Sequence, residues 1–261
     1  MGYNTIIYEK ENNIGIITLN RPKSMNSINS ELINDLNQVI TEIEQDEEIG
    51  AVIITGGHEK FFGAGADIKE ISTLDSAIKA HDFINVIKPL FNRLENLEKP
   101  TIAAVSGVAL GGGCELTLAC DIRIAAENAL FGLPEVKIGV LPGAGGTQRL
   151  PRLIGAGRAK EMLYLGDPID VNEAYRIGLA NKVVKLDSLM DEARKMAAKL
   201  AKQPAYGVKM IKSCVNKGIN MDLQSALDYE SRCFEFLFST EDQKEGIRAF
   251  VEKRKPAYKG K

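Results

Sequence analysis

The stretch Ala109-Leu110-Gly111-Gly112-Gly113-Cys114-Glu115-Leu116 constrains this chain more than any other. Three consecutive glycines follow the apolar run Thr101–Val105 and precede an apolar run that ends at Cys120. That order predicts strand, tight turn, helix. A helix start exposes backbone N–H groups with no partner inside the helix, and the helix dipole adds to their attraction for negative charge. Glycine lets a ligand approach such a backbone closely. Gly112 and its neighbours are therefore expected to hold an oxygen that becomes anionic during a reaction. Glu115 follows on the first turn of the same helix, within reach of that ligand as an acid or base.

The rest of the chain bounds where this motif can sit. At 261 residues the chain is long enough for one large domain, or for a domain with a small C-terminal subdomain. A formal net charge of −2 gives no overall attraction to nucleic acid or to an acidic membrane. Cys114, Cys120, Cys214 and Cys233 have neither metal-ligand nor disulfide-framework spacing, which fits free thiols in a reducing compartment. Met1–Asn13 is polar and runs straight into a strand pattern, so no leader or membrane span is read and a cytoplasmic protein is expected.

Along the chain, Thr5–Tyr8 and Ile14–Leu19 read as strands joined by a turn at Glu11-Asn12-Asn13. Asn20-Arg21-Pro22-Lys23-Ser24-Met25-Asn26 reads as a proline-punctuated loop whose cations meet phosphates or solvent. Ser30–Asp46 has a helical apolar face, and Ala51–Thr55 is a strand buried on both sides. Gly56–Gly65 is a second glycine-rich loop after a buried strand, opening into Ala66-Asp67-Ile68-Lys69-Glu70. Gly63-x-Gly65 is no dinucleotide fingerprint, because its third glycine is missing. Asp75–Leu97 reads as a long helix halted by Pro100, Asp121–Ala125 as a strand and Ala129–Phe131 as a short one.

Pro134 places Glu135 at a turn, with Leu133, Val136, Ile138 and Val140 around it. A carboxylate in apolar company has a raised pKa and can carry a proton near neutrality. Leu141–Thr147 is a third glycine loop, opening a helix at Thr147. From Val171 the pattern is mostly helical, with Asp222, Ser239 and Thr240 as caps and an apolar cluster at Phe234, Phe236, Leu237 and Phe238. The basic tail Val251–Lys259 reads as a solvated end.

Several segments together resemble the crotonase, or enoyl-CoA hydratase/isomerase, superfamily. They are Asn20-Arg21-Pro22-Lys23, Gly65-Ala66-Asp67-Ile68, Ala109–Glu115 with Cys120-Asp121-Ile122-Arg123, Pro134-Glu135, and Pro142–Leu150, with the ending Phe250–Lys255. The resemblance runs from about Ile6 to Tyr258. It implies an α/β fold, a spiral of repeated ββα turns forming a catalytic core over 1–200, with a C-terminal helical oligomerisation region over 201–261. It implies a homotrimer or a dimer of trimers acting on an acyl-CoA thioester, with no metal and no separate cofactor, since coenzyme A is part of the substrate.

By the same resemblance, the N–H groups of Ala66 and Gly112 form an oxyanion hole for a thioester enolate. Lys23, Ser24 and Met25, with Ala64, Ala66, Asp67, Ile68 and Lys69, hold the CoA moiety beside Gly112. Glu115 and Glu135 occupy the family's two glutamate positions, whereas its isomerases typically keep the carboxylate at 135 and lack the one at 115. Both being present favours hydration of a 2-trans-enoyl-CoA to a 3-hydroxyacyl-CoA over isomerisation. Leu133 stands where many hydratases have Gln, and Ser24, Met25, Phe62 and Gly63 also differ from common choices, which bears on chain-length preference. Some members of the superfamily bind RNA; the near-neutral charge and absence of a basic stripe argue against that role here.

Overall fold

The computed structural model describes residues 2–261. The chain opens with β1 (Ile6–Glu11), β2 (Ile14–Leu19) and α1 (Ser30–Gln45). Asn29 caps α1 through its side-chain oxygen, 3.0 Å from the Leu32 N–H, and Leu32, Leu36, Val39, Ile40 and Ile43 form its buried stripe. Then follow β3 (Ala51–Thr55), β4 (Phe61–Gly63), α2 (Ile68–Ile71) and α3 (Ala77–Glu95); β5 (Thr101–Val105), β6 (Val108–Leu110) and α4 (Gly112–Leu118); and β7 (Ile122–Ala126) and β8 (Leu130–Gly132). A single-turn helix at Pro134–Ile138 precedes α5 (Gly146–Ile154), α6 (Ala156–Leu165), β9 (Ile169–Asp170), α7 (Val171–Arg176) and β10 (Lys182–Val184). The chain ends in α8 (Leu189–Leu200), α9 (Ala205–Gly218), α10 (Leu223–Leu237) and α11 (Glu241–Val251).

Two sheets organise these elements. The larger has the order β1-β2-β3-β5-β7-β10, and the smaller the order β4-β6-β8-β9. Each of the pairs β3–β4, β5–β6 and β7–β8 gives its first strand to the larger sheet and its second to the smaller. Pairing from turn to turn is parallel in both sheets. The chain therefore winds as a spiral of ββα turns, as the family resemblance implied. The continuous apolar runs follow from this layering. Val52 and Ile54 face a core shared with α1 and α3, while Ala51 and Ile53 face a second core closed by Leu189, Ala193 and Ala197 of α8. Each fully buried aliphatic side chain adds roughly 1.5–3 kcal/mol of transfer free energy to this arrangement.

Several boundaries differ from the sequence reading. The Gly56–Gly65 segment contains β4, whose three residues are too few to show an alternation. The stretch after Val171 is not wholly helical, because β10 adds a parallel edge beside β7. The third glycine loop opens its helix at Gly146, one residue early. The long helix ends at Glu95 rather than Leu97, and it accommodates Pro89 in its interior. Asp222 and Thr240 cap α10 and α11, but the Ser239 hydroxyl donates back to the Phe236 carbonyl. The basic tail is solvent-exposed as read, but it is tethered: Arg254 grips Glu245 with two nitrogens at 2.6 and 2.9 Å, and the N–H groups of Lys259 and Gly260 bond to Asp242. In α9–α11 the only buried apolar side chains are Cys233 and Ala249.

Candidate active site

The spiral brings three successive loop ends to one place: Gly65 after β4, Gly111 after β6, and Glu135 after β8. Gly111 is their meeting point. Its φ of 50° and ψ of −127° suit glycine, and a Cβ there would stand 3.0 Å from the Glu135 Oε1 and 3.3 Å from the Gly65 Cα. Its carbonyl accepts the Glu115 N–H at 2.9 Å, opening α4. Gly113 serves a different need: a Cβ there would stand 2.2 Å from the Gly63 carbonyl oxygen, so only glycine lets α4 seat against β4.

The two N–H groups expected to bind an anion face this junction. Ile28 bridges to the loop on either side of Ala66, donating to the Gly65 carbonyl at 2.7 Å and accepting from the Asp67 N–H at 2.8 Å. In such a parallel bridge the Ala66 N–H turns away from Ile28. Gly112 is the first residue of α4, so its N–H has no acceptor within the helix. A Cβ on Gly112 would stand 3.6 Å from the Ala66 nitrogen, which places the two donors side by side.

The Glu135 carboxyl stands at this junction, and the Glu115 carboxyl stands beside it against the third glycine loop. Glu115 is 3% exposed, and its Oε1 accepts two backbone N–H groups, Ala144 and Gly146, each at 2.8 Å. The third glycine loop is thus a clamp on Glu115. Burial, the largest cause, pushes this carboxyl up to about 7; the Gly146 N–H lowers it, the Glu135 charge raises it, and the Ala144 N–H and Arg149 charge lower it. Burial also raises Glu135, whose Oε2 is buried with no hydrogen-bond partner. The two carboxyls repel each other when both are charged, so their ionisations are coupled.

The source of the Glu135 shift differs from the sequence reading. Leu133 is fully buried beside it, but Val136, Ile138 and Val140 are exposed. The turn itself buries the carboxyl against the Gly111 backbone, a contact that local composition does not encode.

The loops expected to hold CoA are joined edge to edge. Ala64 donates its N–H to the Met25 carbonyl at 3.0 Å, and Lys23, Met25, Ile68 and Lys69 are exposed along the seam. Arg21 was expected to face phosphate or solvent; instead it pairs with Asp67 at 3.0 Å and binds Ser27. Burial raises Asp67, but the Arg21 hydrogen bond, the Lys69 N–H, the Arg21 charge and the Ser27 hydroxyl outweigh it and hold the carboxyl below its usual range. The Asp67 carboxylate is therefore committed to tying the two loops together. Arg149, which sequence reasoning passed over, also belongs here: it donates to the Ala144 carbonyl at 2.9 Å.

No described helix is long and apolar enough to cross a membrane. A family model for enoyl-CoA hydratase/isomerase matches residues 9–261. A short-chain-enoyl-CoA hydratase of Clostridium acetobutylicum is 49% identical over 98% of this chain and 97% of its own length. A crotonyl-CoA hydratase of Syntrophomonas wolfei is 46% identical, over 98% of each chain. The crystal structure of an enoyl-CoA hydratase from Bacillus anthracis superposes with a TM-score of 0.95 at 41% identity, covering 99% of this chain and 100% of that one. With near-complete coverage in every comparison, the chain belongs to the enoyl-CoA hydratase/isomerase family.

Proposed function

We propose that this protein hydrates 2-trans-enoyl-CoA thioesters to 3-hydroxyacyl-CoA, reversibly, with crotonyl-CoA as a substrate. The observation that carries the reading is that the Glu135 carboxyl and the neighbouring Ala66 and Gly112 nitrogens meet around Gly111 and Gly112, with the buried Glu115 carboxyl held on the same helix close enough to feel the Glu135 charge. The thioester oxygen binds between the Ala66 and Gly112 N–H groups. Water attacks C3 and gives its proton to one carboxylate; the C2–C3 electrons move onto the thioester oxygen as an enolate. The enolate then collapses, and C2 takes a proton from the other carboxyl. The pair must hold one proton between them; burial raises both carboxyls and their mutual repulsion disfavours double ionisation. Preorganised donors at the enolate oxygen act without reorganisation in a dry site.

Lys23, Ser24, Met25, Ala64, Asp67, Ile68 and Lys69 border the CoA path, with Asp67 acting through Arg21 to hold its two walls together. No cofactor is needed beyond the CoA of the substrate. Residues 1–200 form the catalytic core, and 201–261 form a surface for a homotrimer, single or stacked in pairs, since α9–α11 leave Phe234, Phe250 and Val251 uncovered. Loss of the enoyl absorbance of crotonyl-CoA on adding the purified protein tests the activity. Formation of a 3-enoyl product without hydration would favour isomerisation instead, and retention of RNA with no turnover would favour the binding reading.

A further inference from the structure

Arg149 lies behind the loop that clamps Glu115. Its Nη1 donates to the Ala144 carbonyl at 2.9 Å. Ala144 and Gly146 supply the two N–H groups on Glu115, and the Ala144 carbonyl belongs to the peptide between those two donor peptides. A Cβ on Gly145 would stand 2.0 Å from Nη1, so the guanidinium fits against this loop only because residue 145 is glycine. On its far side, Nη2 binds Asn92 at 2.7 Å and Glu95 at 2.8 Å, both at the end of α3. The side chain is 11% exposed, and Nε is buried without a partner. A planar, permanently charged fork can hold a loop carbonyl and an anchoring carboxylate at once; an ammonium cannot reproduce that geometry.

From this chain of contacts we propose that Arg149 is a positioning residue, anchored by Glu95, that holds the 144–146 loop so that its two N–H groups fix the Glu115 carboxylate in the site. The inference rests on the assignment of Glu115 to the hydration reaction. It carries a pH consequence. The charged groups facing Glu115 are Glu135 from its turn and Arg149 from α5. The strands packed on α4, β4 and β6, bring no titratable side chain, and Arg152 of α5 is occupied with Gln148 and Asn220. Removing Arg149 deletes the one facing cation and loosens both donors. Each change favours the protonated form of Glu115.

The test is crotonyl-CoA hydration by full-length Arg149→Gln and Arg149→Lys, with kcat, KM and the pH profile of kcat/KM. In Arg149→Gln, kcat should fall about 10- to 100-fold, the size expected of a small misplacement at a reacting group, with KM within about threefold. The limb set by Glu115 should move to higher pH. Arg149→Lys, which keeps the charge but not the fork, should move the limb less and recover part of kcat. If Arg149→Gln fails to fold, Glu95→Gln loosens the same anchor and should shift the limb in the same direction by less. A folded variant with wild-type kcat and profile, or one with lower thermal stability but an unmoved limb, overturns the proposal. Wild-type protein with no hydratase activity would instead overturn the assignment on which it rests.

Discussion

Ile84 Cδ1 lies 2.5 Å from the position that a Cβ on Gly143 would occupy, so α3 rests directly on the loop whose next residue clamps Glu115. In the proposed binding mode, with the thioester oxygen at Ala66 and Gly112, the acyl chain beyond C3 is expected to run past the two glutamates, away from the CoA loops. Leu133, Pro142 and Gly146 crowd that side: a Cβ on Gly146 would meet Pro142 at 2.8 Å and Leu133 at 3.1 Å. Behind the loop, a cavity of about 360 Å³ is bordered by Ile84, Lys88, Pro142 and Gly143. Ile84 thus stands between the Gly143 backbone and that cavity, where in the proposed binding mode it would limit the acyl side.

The expected outcome for Ile84→Ala is a shift in chain-length preference. The ratio of kcat/KM for a ten-carbon enoyl-CoA to that for crotonyl-CoA should rise by about tenfold, the scale at which one or two methylenes are discriminated in a pocket. Crotonyl-CoA turnover itself should change little. An unchanged ratio across the C4–C10 series would show that the tail leaves by another route.

Glu115→Gln and Glu135→Gln keep side-chain size and remove the carried proton. General acid–base help is worth about 10²–10⁴ in rate, so hydratase kcat should fall by that order in each single variant with KM little changed. The double variant should be far from additive, because the two carboxyls act as one unit on one water. Near-wild-type turnover in either single variant excludes the two-carboxyl mechanism. Glu115→Gln retains Glu135, and C2 proton exchange measured by deuterium incorporation is expected to survive in it.

The raised Glu115 ionisation also makes a stability prediction whose sign is fixed. The unfolded side chain titrates near 4.5, and in the folded protein burial moves it to about 7. Below 4.5 both states are protonated and the group costs nothing. As pH rises from there toward 7 the unfolded state ionises first, and stability is lost; above 7 the loss is complete, on the order of 3 kcal/mol. Glu115→Gln should therefore raise the melting temperature at pH 8 while leaving it nearly unchanged at pH 4.5. Equal effects at both pH values would mean that Glu115 ionises normally in the folded protein.

Much of this arrangement was legible in the residues, for identifiable reasons. The run Gly111-Gly112-Gly113 marked a turn and a helix start because glycine is the residue that tolerates both the φ of Gly111 and the backbone approach at Gly113. Buried β3 and β5 read plainly because both faces are covered, so every position but the terminal Thr55 and Thr101 is apolar. What escaped was long-range. Nothing near Glu115 in the chain says that Ala144 and Gly146, about thirty positions on, will bond to it; the Leu141–Thr147 loop shows only that it can turn. Arg21 looked like a solvent or phosphate contact because its partner Asp67 lies 46 residues away.

Assembly is read from uncovered surface. Phe250 is 83% exposed and Phe234 is 62% exposed, on helices that also leave Phe236, Phe238 and Val251 open. Apolar groups so displayed on neighbouring helices are the surface proposed for the trimer contact. Light scattering at micromolar concentration should give three or six chains. Phe250→Asp should shift the population toward smaller species with the circular dichroism of the helices retained. A monomeric wild-type protein would remove the oligomerisation role of α9–α11.

The anion site can be separated from its packing with one pair of variants. Gly112 is the first residue of α4, where proline is well tolerated because its missing N–H has no helical partner. Gly112→Pro therefore deletes the proposed donor while leaving the helix start in place. Any side chain at 112 also meets Ile28, whose Cδ1 would lie 3.1 Å from the new Cβ. Gly112→Ala carries that same contact and keeps the N–H, so it measures the steric part alone. One oxyanion donor in a water-excluded site is worth roughly 2.7–4 kcal/mol, a factor of about 10²–10³ in kcat. The expected result is a modest loss in Gly112→Ala and a further loss of that size in Gly112→Pro, with both proteins folded and of wild-type oligomeric size. Ala66→Pro, which deletes the neighbouring donor, should fall alongside it. If Gly112→Ala and Gly112→Pro hydrate crotonyl-CoA at the same rate, the Gly112 N–H does not bind the enolate oxygen, and the glycine run serves only to let α4 seat against β4.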